Sequence, residues 1–281
     1  MNVLTGNISQ FDSESALEPD ANRPPPLSAE IVPEVEAANR QMFRVVHDLK
    51  MVIRQRNQAQ QQIADNHFEM MYLQVLGADF RAGRNGLRLV RIGVTAEILA
   101  RKSGMTDEYC ALIRRAAPLH DIGMSAMPDA LLRKREDLTE EEWQQWKEHT
   151  RTGARILSSS IDTPLTQMAA QIALSHHENF QGHGYPSGLA GDQIPFSGRI
   201  VALAEYYETR TNPLGRQRQA LPPGTLLDSI RALRGRRFDP ELVDLFLKHF
   251  EAISAAHREL DSKADSFQAL ASISKPVQPR S

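Results

Sequence analysis

The chain has 281 residues, 41% of them apolar, enough for a core in one or two domains. Its 33 lysines and arginines nearly balance 35 aspartates and glutamates, so no excess charge draws it to DNA or to an anionic membrane surface. No apolar run nears the ~20 residues of a spanning helix, the N-terminus lacks a signal-peptide pattern, and a lone cysteine, Cys110, excludes an internal disulfide, so the reading is a cytoplasmic protein.

Residues 1–30 are polar and end in Pro24-Pro25-Pro26, the composition of a disordered arm. Ser28 can cap a helix whose first turn accommodates Pro33. From 31 to 80 the spacing predicts one long helix. Val35, Ala38, Met42, Val45, Leu49 and Val52 recur at intervals of three and four, weaken at Arg56 and resume at Ala59 and Ile63. Such a stripe packs either on its own domain or on a second copy. Several heptads without a breaker favour a signalling stalk that forms a parallel homodimer.

A break at residues 83–86 follows. Helical patterns then run at about 87–102, 106–117, 139–158, 163–178, 197–209, 222–233 and 239–256. Almost nothing alternates with period two, so residues 81–260 form an all-α domain. Cys110 falls within one of these helices and reads as core packing. Residues 261–281 form a second disordered segment.

The chemistry is carried by histidines beside acids at helix ends. His120-Asp121 closes a helix before a turn at Gly123, and an imidazole with an adjacent carboxylate can ligate a divalent metal. Alone, such a pair is ordinarily a helix cap. His149 lies in WKEHTRTG, and His176-His177-Glu178 ends another helix. Adjacent helical residues point about 100° apart, so two consecutive imidazoles reach one metal only if the helix end frays.

The stretches HDIGMSAMPDALLRKREDLTEEEWQQWKEHTRTGARIL and HHENFQGHGYPSGLAGDQIPFSGRIVALAE, followed by RFDPELVDLF, resemble the HD-GYP subgroup of HD-domain phosphohydrolases over about residues 67–255. The resemblance implies an HD-type helical bundle behind a coiled-coil helix, with bound iron or manganese. It also implies cyclic di-GMP or a related nucleotide as substrate, and a signalling protein as partner. By that resemblance His120 and Asp121 are the catalytic HD pair, with Asp121 bridging metals. His149, His176 and His177 are further metal ligands, and Glu205, a glutamate in place of the family's aspartate, stands at the acid of its AD-x-x-D stretch, with Glu208 as the second acid. Gly184, Tyr185 and Pro186 form the substrate loop, and Arg199 matches an arginine that is either a substrate contact or a helix-start ion pair.

The departures matter as much. Arg88 stands where the family places its first histidine, and Arg84 where three-metal members place an acid. Met124 replaces a lysine, Gln181 an aspartate, and Leu214 and Gln217 an arginine and a lysine that hold phosphate. Arg210, Arg216 and Arg218 lie in the same segment and could compensate. These changes imply at most one metal ion. Three readings follow: a degenerate module with reduced or lost catalysis and a signalling role, an active cyclic di-GMP phosphodiesterase with a reduced metal site, or an HD hydrolase of another phosphate ester.

Overall fold

The computed structural model describes residues 31–84, 86–134, 137–212 and 220–262. The arm at 1–30 with Ser28, the segment holding Leu214, Arg216, Gln217 and Arg218, and the tail from 263 lie outside the described residues. Two compact units are distinguished, residues 1–58 and 59–281, and helix α1, Ile31–Arg81, contributes to both.

In the first unit α1 buries none of its described side chains. Val35, Met42, Val45, Leu49 and Val52 all lie exposed, as they must on a helix with no neighbour. In the second unit the same helix becomes amphipathic. Phe68, Met71, Tyr72, Val75 and Leu76 enter the core, while Ile63, Met70, Leu73 and Phe80 stay outside. The compact unit thus begins at Ala59, some twenty residues before the boundary read from the sequence.

The second unit is a bundle around α2, Leu87–Lys102, whose Leu89, Val90, Ile92, Ala96 and Leu99 are fully buried. It packs against α3 (Asp107–Ala116), α7 (Phe196–Thr211) and α10 (Phe250–Ser262). The α2–α3 approach requires glycine at 93, where a Cβ would lie 2.6 Å from the Arg114 carbonyl oxygen. Short α4 (Asp129–Leu132) leads to α5 (Glu140–Ser158), started by a reciprocal Thr139–Glu142 capping box, and α5 packs along α6 (Pro164–Ser175). Helices α8 (Pro223–Ala232) and α9 (Pro240–Lys248) complete the unit. No strand occurs among the described residues, in keeping with the all-α expectation.

Two helical patterns end differently from the sequence reading. The run predicted at 239–256 breaks at His249 (φ −111°, ψ 15°), which turns α10 so that Phe246, Phe250 and His257 all meet the Tyr207 ring. Residues 261 and 262, read as tail, complete the last turn of α10, and Asp261 pairs with Arg91 of α2. The run predicted to 178 stops at Ser175. That early stop places His176 and His177 outside the regular helix, the condition under which both rings can face one point.

Candidate metal centre

The HD pair sits between two single-turn 3-10 segments, Ala117–Leu119 and Ile122–Ala126. The second presses on α5 at Gly123, where a Cβ would lie 2.0 Å from the His149 carbonyl oxygen and 2.7 Å from the Gly153 nitrogen. That contact sets Asp121 beside His149. From α6 come His176, at its C-cap, and His177, whose ring centroid is 4.1 Å from that of His176.

The resulting cluster is dense. One ligand atom each from Asp121, His149, His176 and His177 lies within 4.8 Å of every other, and the same holds for His120, Asp121 and Glu205. All six sequence-predicted metal residues therefore meet in one place. Asp121 Oδ1 faces His149 Nε2 at 3.5 Å and His176 Nε2 at 3.7 Å, and it is buried without a hydrogen-bond partner. Glu205 Oε2 stands 3.9 Å from His177 Nδ1.

The imidazole orientations test whether these residues suit a metal. His120 Nδ1 is 2.8 Å from the Ala117 carbonyl oxygen, His149 Nδ1 2.7 Å from that of Trp146, and His176 Nδ1 3.0 Å from that of Ile172. Rings that donate Nδ1–H to these carbonyls present bare Nε2 lone pairs inward, the arrangement that fixes metal-ligating histidines. His149 Nε2 and His176 Nε2 then face each other at 3.4 Å, so that either a proton or a cation must lie between them. Burial lowers His149 to about 4. Burial also opposes charge on His176, but the facing Asp121 carboxylate, with Glu205, outweighs it and raises that group. His177 is depressed chiefly by burial and then by His176 and His149. The donor set fits a divalent cation of nitrogen and oxygen preference.

The other side of Asp121 is occupied by protein charge. Arg88, 8% exposed, places Nη2 2.7 Å from Asp121 Oδ2 and Nε 2.7 Å from Asp79 Oδ1. Burial works against its charge, but Asp79 and Asp121 outweigh that penalty. Arg84 reaches the same two carboxylates only at 3.5 and 4.0 Å. Asp121 would be raised by burial, but His120, its hydrogen bonds and Arg88 hold it well below the usual carboxylate range. Asp79, in the last turns of α1, is a site residue that sequence reasoning missed. It also accepts the Gly86 N–H at 3.0 Å, closing the turn that carries Arg84.

Met124, at the lysine position, is buried with Ala78, Met127, Leu131 and Leu132, and Trp146 packs against that cluster. The Gly184-Tyr185-Pro186 loop is built around buried Glu178, which accepts the Ser187 N–H at 2.7 Å and the Leu189 N–H at 3.1 Å. A Cβ on Gly184 would lie 2.3 Å from the Asn179 nitrogen, so the loop can close only on glycine. Tyr185 leans on His177 (4.7 Å between centroids) and meets Trp143 edge-on (5.7 Å), and the Tyr185–Pro186 peptide is cis. Arg199 stands in the first turn of α7 and pairs with Asp192 at 2.8 Å and Asp239 at 2.7 Å, the helix-start ion pair rather than an open cation.

Residues 53–242 match the HD domain family. Among curated proteins, the chain is 35% identical over 195 residues to the 3′3′-cGAMP-specific phosphodiesterase 2 of Vibrio cholerae, covering 68% of this chain and 36% of that one. It is 37% identical to a cyclic di-GMP phosphodiesterase of Thermotoga maritima (68% and 51%). It is 39% identical to the cyclic di-GMP phosphodiesterase response regulator RpfG of Xanthomonas campestris pv. campestris (60% and 44%). The chain thus spans about a third to a half of the length of these relatives. The crystal structure of a cyclic GMP-AMP-specific phosphodiesterase of V. cholerae superposes with a TM-score of 0.52 at 17% identity, covering 75% of this chain and 56% of that one, which is a likeness of fold.

Proposed function

The chain belongs to the HD domain family, and from that premise we propose that it is a cyclic-dinucleotide phosphodiesterase module in which protein charge fills one of two cation places. The observation that carries the reading is the division of the Asp121 carboxylate. Oδ1 faces His149 and His176, while Oδ2 is taken by Arg88. Asp121, His149, His176 and His177 would hold a single ion, iron or manganese by donor type, with His120 and Glu205 beside it. When bound, that ion supplies Lewis-acid charge to a phosphoryl oxygen. The protein's own groups then orient the substrate. Tyr185 offers a ring beside His177, and Gly184 and Pro186 shape the loop that bears it.

Phosphodiester hydrolysis on two cations uses one to activate the attacking water and the other to hold the phosphate. Arg88 can take neither role while it bridges Asp79 and Asp121. Hydrolysis is therefore reduced or lost, and a nucleotide-dependent signalling role is what remains. Cyclic di-GMP is the ligand that the names of two relatives favour. The intact four-residue cluster supports a second reading, an active phosphodiesterase that works with this reduced site. Elemental analysis beside cyclic di-GMP turnover separates them. At most one metal per chain, with turnover orders of magnitude below that of relatives with complete sites, is the expected result. Robust hydrolysis that Asp121→Ala abolishes would establish the second reading.

The stalk supports a homodimer. The three-and-four register from Val35 to Ile63 continues through Met70, Leu73, Gly77 and Phe80, and all of its large apolar members are exposed. A second copy in parallel register covers such a seam. A signalling protein that acts on the stalk is the partner such a module would answer to. No helix among the described residues is long and apolar enough to cross a membrane, and the buried free thiol of Cys110 suits a reducing, cytoplasmic setting.

A further inference from the structure

Most arginines of the helical unit face carboxylates. Arg81, Arg91, Arg114, Arg115, Arg199 and Arg234 have partners at 2.6–2.9 Å. Two half-buried ones do not. Arg210, near the end of α7, and Arg237, in the turn between α8 and α9, have no carboxylate partner among the described residues. Both rest on one ring. Their guanidinium carbons lie 5.1 and 5.2 Å from the Tyr206 centroid, and that of Arg237 is also 5.3 Å from the Phe238 centroid.

The position is beside the metal centre. Tyr206 follows Glu205, which faces His177. The turn bearing Arg237 is stitched to the Gly-Tyr-Pro loop by the Phe180 N–H donating to the Arg237 carbonyl oxygen (3.1 Å) and the Gln181 N–H to that of Arg236 (2.9 Å).

A guanidinium that has lost part of its hydration without gaining an anion is poorly compensated. Aromatic faces orient such a cation but do not neutralise it, and two cations on one ring repel each other. A phosphodiester resolves both, because its oxygens accept the paired N–H donors of each fork. We propose that Arg210 and Arg237 form an anion clamp that takes phosphodiester oxygens of the nucleotide at the rim of the metal centre. This rests on the cyclic-dinucleotide reading above. It also supplies cationic side chains that Leu214 and Gln217 do not.

The test uses the full chain loaded with manganese and titrated by calorimetry with cyclic di-GMP and, separately, inorganic pyrophosphate. Arg237→Gln and Arg210→Gln should each weaken cyclic di-GMP binding about tenfold or more, the worth of one charge-assisted pair. Arg237→Lys should recover part of the loss and shows that any defect follows charge rather than folding. Arg236→Gln, an exposed neighbour, should change nothing, and metal content should stay constant throughout. If wild-type protein binds cyclic di-GMP and Arg237→Gln binds it equally well, the clamp is wrong and the substrate reading stands. If pyrophosphate binds through the arginines while cyclic di-GMP does not bind, the clamp stands and the substrate reading falls. Wild-type protein that binds neither anion overturns the clamp.

Discussion

Replacing Arg88 with histidine and Arg84 with glutamate tests the charge argument directly. Arg88 Nη2 lies 2.7 Å from Asp121 Oδ2, so a second ion bound to that oxygen would have a guanidinium as its neighbour. At ~4 Å and an effective dielectric near 20, a single charge and a dication repel by about 8 kcal/mol, an upper bound if the side chain swings away. The double change removes two such cations and adds two ligands. In metal-free protein it also strands Asp79, only 3% exposed, and Asp121, 5% exposed. Breaking a buried pair in this way costs about 3–5 kcal/mol. Added manganese should return much of that loss, about 2.7 kcal/mol at a hundredfold excess over its dissociation constant. The expected sequence is a lower melting temperature without metal, a steep rise with manganese, and two ions per chain by elemental analysis where the unmodified protein holds at most one. Turnover should lag, because Met124 still fills the lysine position with apolar bulk. Two or more stoichiometric ions in the unmodified chain, or no gain in the variant, would refute the reasoning.

Three further outcomes are expected. Leu49→Asp with Val52→Asp should convert a dimer to a monomer in light scattering while the melting temperature of the helical unit holds, because both side chains are exposed and lie before Ala59. Gly123→Ala should lower stability by about 1–3 kcal/mol and reduce bound metal, because the new methyl meets backbone atoms of α5 rather than a movable side chain. His257 and Glu208 should oppose each other in pH profiles of stability. Burial, then Arg91, lowers His257 from 6.5 to about 4, so its contribution fades as pH falls from 6.5 to 4. Burial, resisted by Arg91, raises Glu208 from 4.5 to about 7, so its contribution is full below 4.5 and is lost as pH rises through 7. Each is worth about 3 kcal/mol. Urea melts of His257→Gln should therefore show stability rising on acidification from pH 7 to 4.5 where the unmodified protein stays nearly flat, and parallel profiles would contradict this.

The helices and the ligand cluster were legible in the sequence for different reasons. Apolar period located α2, α3 and α5 within a residue or two, and in the structure the caps Thr106 and Thr139 fix the starts of α3 and α5 at those places. The break at His249 carries no local signal. It arises from Tyr207 collecting rings from both sides of the bend, a tertiary contact that overrides a continuous pattern. Four of the six candidate ligands were found because HD and HH are adjacent pairs at helix ends, where side chains leave the regular helical face; His149 came from the wider histidine pattern and Glu205 from the family resemblance. Arg237 was passed over because an arginine before Phe238 looks like any surface cation. Only the lack of a carboxylate partner among the described residues distinguishes it, which is a property of space rather than of sequence.

Asp79 shows most clearly why the charge balance of the site could not be read along the chain. It sits within a heptad-patterned helix, one residue from exposed Phe80, and nothing in that pattern marks an acid as buried. Its role follows from the turn at Gly83 and Gly86, both at positive φ, which reverses the chain so that Arg88 points back at the helix it has just left. Read singly, Arg88 in a metal-binding place is a lesion. With Asp79 it is one member of a carboxylate–guanidinium–carboxylate bridge whose other end is Asp121. The same geometry ties the last turn of α1 to the centre. On α1, successive side chains point about 100° apart, so Phe80 lies on the outward seam while Asp79 holds the arginine that competes with a metal for Asp121. A rotation of the last turn of α1 that disturbed the seam would move Asp79 as well, one of the two carboxylates that hold Arg88 extended.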